Sequence, residues 1–173
     1  MIADKSKYNI EPLGNHDRSA FSCGNPALDH YIREQASQDV KRRLASVFVI
    51  TAKDNPLTIL AYYTLSSREL KLEELPPGIA KKAGKYGYVG VTLPGRMAVA
   101  ENCKGTGLGV LTLINALDKS LAASKNVASW AVFVEAIDDN AANFYRKYGF
   151  IELPEDKHKL FLPMATIARS LLL

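Results

Sequence analysis

Cysteine is scarce in this chain: Cys23 and Cys103 are the only two among 173 residues, and their spacing matches no metal motif. Two ordinary free thiols in a reducing compartment follow, rather than a disulfide-stapled secreted fold. Histidine is also sparse, and His16, His30 and His158 lie too far apart in sequence to suggest a metal cluster, so no metal is expected. Long apolar runs are missing: stretches such as Ala45–Ala52 and Trp130–Val134 are far too short to span a bilayer. The opening Met-Ile-Ala-Asp-Lys-Ser-Lys has no apolar h-region, so a cytoplasmic protein without a membrane partner is expected. Internal repeats, low-complexity tracts and long linkers are absent too. Residues 1–173 are therefore expected to form a single domain, long enough to bury one core.

What is present reads as globular, with 47% hydrophobic and 23% charged residues. The net charge of +4 is unevenly spread. Residues 1–40 carry four basic and six acidic side chains, and the basic excess falls later, in Lys41-Arg42-Arg43 and around Lys81, Lys82 and Lys85. Such runs suit a polyanion, whether a nucleotide cofactor or a nucleic acid, and are equally common in proteins that bind neither.

Periodicity gives the elements. Tyr8–Leu13 predicts a short strand, and Asn25-Pro26 predicts a helix start, with a cap and a proline at the first helical position. That helix is expected to run to about Arg43, with Leu28, Tyr31, Ile32, Gln35 and Ala36 on one face. Ser46–Lys53 and Leu57–Ser67 predict a hairpin around Asp54-Asn55-Pro56. Arg68–Tyr88 is expected to be irregular with at most a short helix, and Tyr88–Val99 a strand disturbed at Pro94-Gly95. Gly107–Ser124 predicts an amphipathic helix, with Leu108, Leu111, Ile114, Leu117 and Leu121 at helical spacing. Trp130–Val134 predicts a buried strand, followed by a helix capped by Asp138 and stopped by Gly149. Phe150–Glu152 and Lys159–Met164 predict two closing strands. The order points to a mixed α/β or α+β domain around one central sheet.

The richest segment is Lys104-Gly105-Thr106-Gly107-Leu108-Gly109, which joins the strand at Met97, Ala98 and Val99 to the long helix. Glycines permit positive φ and close approach of a ligand to the backbone. Converging N–H groups at a helix N-terminus suit a pyrophosphate, and Lys104 would add a formal charge. A P-loop needs Gly-Lys-Ser/Thr opening its helix, whereas this helix opens Gly107-Leu108-Gly109. A Rossmann turn needs G-x-G-x-x-G on an early βαβ unit, and the spacing here is G-x-G-x-G after several strands. Neither fits; a glycine-rich connection without a ligand remains open on these residues alone.

This segment resembles the acetyl-CoA loop of the GNAT acetyltransferases, Gln/Arg-x-x-Gly-x-Gly/Ala, with Lys104 in the first place. Lysine keeps the charge of arginine and loses its fork of donors. A second stretch, Asp138 to Phe150, resembles the other GNAT signature, Asn-x-x-Ala-x-x-x-Tyr-x-x-x-Gly-Phe: Ala141, Tyr145, Gly149 and Phe150 match, and Asp138 stands where asparagine is usual. Ala141 and Tyr145, four apart, share a helical face. Asn143 lies on a different face and is a candidate cofactor contact, with a surface or capping role equally open. The resemblance implies a GNAT fold: a mixed, mostly antiparallel central sheet with a splayed parallel strand pair, flanked by helices. It implies acetyl-CoA as co-substrate, with Lys104, Gly105, Thr106, Gly107, Leu108 and Gly109 around the pyrophosphate. Met97, Ala98 and Val99 would run beside the pantetheine arm like an added strand, and a backbone N–H near Val99 would hold the thioester oxygen. Tyr145 would be the catalytic acid for the departing thiolate. No general base declares itself; Glu135 and Asp138 are candidates.

The resemblance extends further. Phe21-Ser22-Cys23-Gly24, Leu28-Asp29 and Tyr31-Ile32 are similar to the opening of the GNAT toxins of bacterial type II toxin–antitoxin modules. Ala61 to Ser66, Gly95 to Val99 and Leu160 to Met164 match later landmarks of that group, while Ala100 stands where it usually has Asp. That group implies an aminoacyl-tRNA substrate acetylated on its α-amine, blocked translation, a ribbon-helix-helix antitoxin as partner, and often a homodimer. The alternatives are a GNAT acting on a small-molecule or protein amine, and a silent acyl-CoA-binding module.

Overall fold

Asn25 opens the first helix as its sequence position dictates: its side chain accepts hydrogen bonds from the N–H groups of Ala27 and Leu28, and Pro26 follows without an N–H to satisfy. The computed structural model describes residues 1–171, arranged as two units. Met1–Ser66 and Gly95–Ala116 form the first; Ser67–Pro94 and the chain from Leu117 form the second. Helix α1 (Pro26–His30) passes through one π turn, Tyr31–Gln35, into α2 (Ala36–Lys41). A π turn inserts a residue into the helical phase and so rotates the turns after it. Tyr31, Ile32 and Ala36 are buried as expected, but Gln35 is turned out to solvent.

In the first unit β1 (Tyr8–Pro12) pairs antiparallel with β2 (Ser46–Ala52), and β2 with the first half of β3 (Ala61–Lys71). The hairpin partner thus starts four residues later than Leu57. Leu57 and Thr58 are used elsewhere, since the Leu57 carbonyl accepts from Asp17 N–H at 2.7 Å and Thr58 bridges Asp17. One cluster joins Phe21, Cys23, Tyr31, Ile32 and Ala36 to Val47, Val49 and Tyr62, while Ile50 and Ala61 pack with Leu108 and Leu111 in another. Strands covered on both faces become nearly continuous apolar runs, which is why Val47–Ile50 shows no alternation.

The expected strand over Tyr88–Val99 is two strands. Pro94, which has no N–H for a ladder, and Gly95 separate β4 (Tyr88–Leu93) from β5 (Met97–Val99). Both border β3: β5 pairs antiparallel with its Ala61–Tyr63 stretch in the first unit, whereas β4 also pairs parallel with β6 (Ala131–Glu135) in the second. The segment expected to be irregular begins as the end of β3 and continues through a 3₁₀ turn, Leu72–Glu74, to α3 (Pro77–Ala83).

Helix α4 (Leu108–Ser124) forms as its leucine spacing predicts. In the second unit α5 (Asp139–Lys147) is capped by Asp138, whose carboxylate accepts from Ala141 N–H at 2.8 Å, and Gly149 follows with φ +93°. Strands β7 (Ile151–Leu153) and β8 (Asp156–Pro163) pair antiparallel, and β8 pairs with β6. The unforeseen helix α6 (Met164–Leu171) is anchored by buried Met164 and Ile167. The fold is therefore mixed α+β, mostly antiparallel, with β4 and β6 as its parallel pair. Among the described residues no helix is long and apolar enough to cross a membrane.

Candidate active site

The glycine turn lies in the first unit, between a 3₁₀ turn at Glu101–Cys103 and the start of α4. Gly105 and Gly107 take φ +78° and +85°, in the left-handed region that other residues enter at a cost of about 1–2 kcal/mol. Around Gly105 the space is open, with no atom within 4 Å of where a Cβ would stand. Gly107 is different: a Cβ there would come within 2.6 Å of the Ala3 nitrogen and 2.8 Å of the Ile2 carbonyl carbon. The N-terminal segment crosses it closely, and Ala3 N–H donates to the Gly107 carbonyl at 3.2 Å. The first N–H groups of α4 have no intrahelical acceptor and carry the positive end of the helix dipole. Leu108 is fully buried and fixes that helix start.

Strand β5 leads into this turn, and its register decides what its edges offer. Ala100 N–H donates to Leu60 carbonyl at 2.8 Å, and Thr64 N–H to Arg96 carbonyl at 3.0 Å. Antiparallel ladders alternate bonded and non-bonded pairs, so Ala98 faces Tyr62 within the ladder. Met97 and Val99 consequently aim their N–H and C=O groups away from β3, and β5 pairs with no other strand among the described residues.

Lys104 is placed otherwise than its charge suggests. Its ammonium donates to the Cys23 carbonyl at 2.7 Å and lies 3.3 Å from Glu101 Oε1. Glu101 N–H in turn donates to the Ser22 carbonyl at 2.8 Å. A Cβ on Gly24, which has φ +87°, would strike the Glu101 carboxylate. Cys23 N–H donates to buried Asp29 at 2.9 Å, and burial pushes the Cys23 thiol up, so it is a packed thiol rather than a nucleophile. The Phe21–Asn25 segment is thereby a staple on the glycine turn. Sequence reading missed Glu101, Ser22 and Ala3 in this role; the glycine at position 24 beside a capped helix was the available signal.

Tyr145 lies in the second unit, on α5, near Phe144 and Phe150 with ring centroids 5.5 and 5.3 Å away. Among the described residues its hydroxyl has no hydrogen-bond partner. Burial pushes its pKa up to about 12, so the phenol stays protonated throughout the neutral range. Ala142 is buried on the same helix while Ala141 is half-buried. Asn143 is exposed, and its side-chain oxygen accepts from Arg146, which also pairs with Glu152 at 2.7 Å. Both candidate bases are engaged: Glu135 by Arg68, whose guanidinium stands 4.9 Å from the Phe133 ring centroid, and Asp138 by the cap. The described residues thus gather Met97–Val99 and Lys104–Gly109 in one unit, with Asn143 and Tyr145 in the other. No three His, Cys, Asp or Glu side chains among them group as metal ligands.

No protein-family model matches the chain. Its fold is the GNAT fold of AtaT complexed with acetyl-methionyl-tRNAfMet, at TM-score 0.88 and 26% identity over 95% of this chain and 99% of that one. A probable toxin TacT of Sinorhizobium fredii is 27% identical over 96% of both chains. A tRNA-acetylating toxin of Mycobacterium tuberculosis is 30% identical over 90% of both. The chain belongs to the GNAT toxins of toxin–antitoxin systems.

Proposed function

We propose that this chain transfers the acetyl group of acetyl-CoA to the α-amine of an aminoacyl-tRNA and so blocks translation, and that a cognate antitoxin neutralises it. The observation that carries the chemistry is β5: an open strand edge followed, after one 3₁₀ turn, by a glycine turn and a helix N-terminus. The acceptor follows from the family and from what its relatives are named for.

In this reading the outward N–H and C=O groups of Met97 and Val99, flanking Ala98, hold the pantetheine arm as an added strand would. Backbone N–H groups from Lys104, Gly105, Thr106, Gly107, Leu108 and Gly109 take the pyrophosphate. Open space around Gly105 and the Lys104 contact with Cys23 leave that cradle to the main chain. Val99 N–H polarises the thioester carbonyl, and the Tyr145 hydroxyl gives its proton to the sulfur that leaves as coenzyme A forms. The α-amine of an aminoacyl ester has a pKa at or below the ordinary 7.7–8.0 or so, so a large share is free base at neutral pH. With Glu135 and Asp138 engaged elsewhere, no side-chain base is required: the attacking nitrogen releases its proton to solvent, and a proton from solvent restores the Tyr145 phenol. Asn143, tied to Arg146, reaches the cofactor only if that contact opens.

The proposal takes residues 1–173 as one N-acetyltransferase domain, working in the cytoplasm as a homodimer, with a ribbon-helix-helix antitoxin. Incubation with labelled acetyl-CoA and charged total tRNA, at two salt concentrations, tests it. Label on the tRNA, reduced at high salt, is expected; label only on protein or polyamine, or none at all, would overturn it.

A further inference from the structure

In the second unit the chain between β3 and β4 builds a surface that the chemistry above does not use. From Leu75 to Tyr88 the sequence holds three lysines and no carboxylate. Ile79, Ala80 and Ala83 pack α3 onto a core of Leu70, Leu75, Val89, Phe133 and Phe161, which leaves Lys81 and Lys82 exposed on its last turn. Leu72 N–H donates to the Gly87 carbonyl at 3.0 Å and pins the base of the loop. Gly84 and Gly87 both have positive φ, and no atom stands within 4 Å of either Cβ position. The loop projects into solvent.

At its tip Tyr86 is 82% exposed and Tyr88 51% exposed, while Lys85 Nζ stands 5.9 Å from the Tyr86 ring centroid. None of the ion pairs among the described residues involves Lys81, Lys82 or Lys85. Tyr86 stands clear of the core and Tyr88 is half-exposed beside it, next to lysines that take part in no ion pair among the described residues. The two tyrosines are a stacking platform beside phosphate-binding charge, the combination that binds unpaired nucleotides.

Register sets how far this surface lies from the end of α5 within the unit. Strand β4 runs parallel to β6, and β7 also runs parallel to β6, because β6 and β7 are both antiparallel to β8. Val91 stands beside Ala131 and Thr92 beside Val132, while Phe133 and Ile151 both face Phe161, so β7 begins level with the end of β4. The C-terminal turns of α5 return the chain to that level, and Tyr88, at the start of β4, lies one strand length, about 17 Å, from it.

We propose that Lys81, Lys82, Lys85, Tyr86 and Tyr88 dock the unpaired 3′ nucleotides of the acceptor RNA, the bases stacking on the tyrosines and the phosphates meeting the lysines. The proposal rests on the tRNA reading above and assigns a place to it. Full-length protein is titrated with deacylated total tRNA and with a blunt-ended RNA duplex across a salt series. Tyr86→Ala with Tyr88→Ala should weaken tRNA binding about tenfold and duplex binding hardly at all, while the Phe pair keeps wild-type affinity. Lys81→Ala, Lys82→Ala and Lys85→Ala together should lower the log–log salt slope by about 2. In acetyl transfer the KM for charged tRNA should rise with kcat and the KM for acetyl-CoA unchanged, and melting temperatures should not move. Wild-type affinity, slope and KM in these variants would sink the docking surface and leave the acetyltransferase reading intact. A wild-type protein that neither binds nor labels tRNA would sink both. Equal displacement by poly-glutamate would assign the surface to an acidic protein instead and overturn the RNA proposal.

Discussion

The candidate elements of the two units are built on opposite plans. In the first unit the surface proposed for the cofactor is main chain, and its side chains serve to hold that main chain still. Lys104 grips Cys23, Glu101 grips Ser22, and Gly107 admits the N-terminal segment against its own backbone. In the second unit the backbone of α5 is an ordinary capped helix, and one side chain, Tyr145, is held without a hydrogen-bond partner among the described residues. Binding a pyrophosphate needs several weak donors at fixed spacing, which backbone supplies. Donating one proton needs a single group whose pKa is set by its surroundings.

That contrast can be broken at either end. Tyr145→Phe removes the donor and keeps the packing against Phe144 and Phe150, so turnover should fall by about 10²- to 10⁴-fold while acetyl-CoA affinity stays within about twofold. Unchanged turnover would end the acid role. With the protonated phenol as the proposed acid and its pKa pushed up to about 12, the rate should rise with the amine near pH 8 and stay level past about pH 10. The sign for stability is the same: a pKa raised from about 10 in the unfolded chain stabilises the fold fully below pH 10. That contribution is lost as pH rises towards 12, and denaturant midpoints of Tyr145→Phe should show less of this loss.

Next in size is Gly107→Ala, where about 1–2 kcal/mol of left-handed strain adds to a clash with the Ile2 and Ala3 backbone. Urea unfolding should register a loss above 2 kcal/mol or so, and acetyl-CoA affinity should fall more than about tenfold, if backbone geometry governs this half. Gly105→Ala carries the backbone strain without the clash, so its stability loss should stop at about 1–2 kcal/mol. Smallest is Lys104→Ala. The Cys23 contact is charge-assisted but half-exposed, so a thermal melt should show about 1 kcal/mol lost, with acetyl-CoA binding changed by less than about threefold. A larger binding loss than that for Gly107→Ala would return the lysine to the cofactor.

Much of the fold was readable from residue order. The caps at Asn25 and Asp138 and the α4 leucine stripe are local devices, whose partners lie within four residues. The β3 register was not readable, because Leu57 and Thr58 are claimed by Asp17, some 40 residues earlier. The polar start of β8 carries too little apolar periodicity to announce itself. Helix α6 went unread although Met164 and Ile167 stand at helical spacing, because the apolar run from Leu160 to Met164 before it reads as strand. At the site, Gly105, Gly107 and Tyr145 stand out in the sequence as unusual positions, yet what makes each unusual lies far away along the chain.

Sequence by itself determined the chain's chemistry-bearing parts: a strand, a glycine turn and a helix in that order, and a tyrosine four residues after a small one. Those depend on short-range backbone preferences and on helical periodicity. Tertiary structure alone decided that Lys104 is a staple, that Val99 offers its N–H to an open edge, and that the Tyr145 phenol is buried with its pKa pushed up. Each of these turns on which groups a distant segment brings near or keeps away, and burial and strand register act across the fold rather than along the chain.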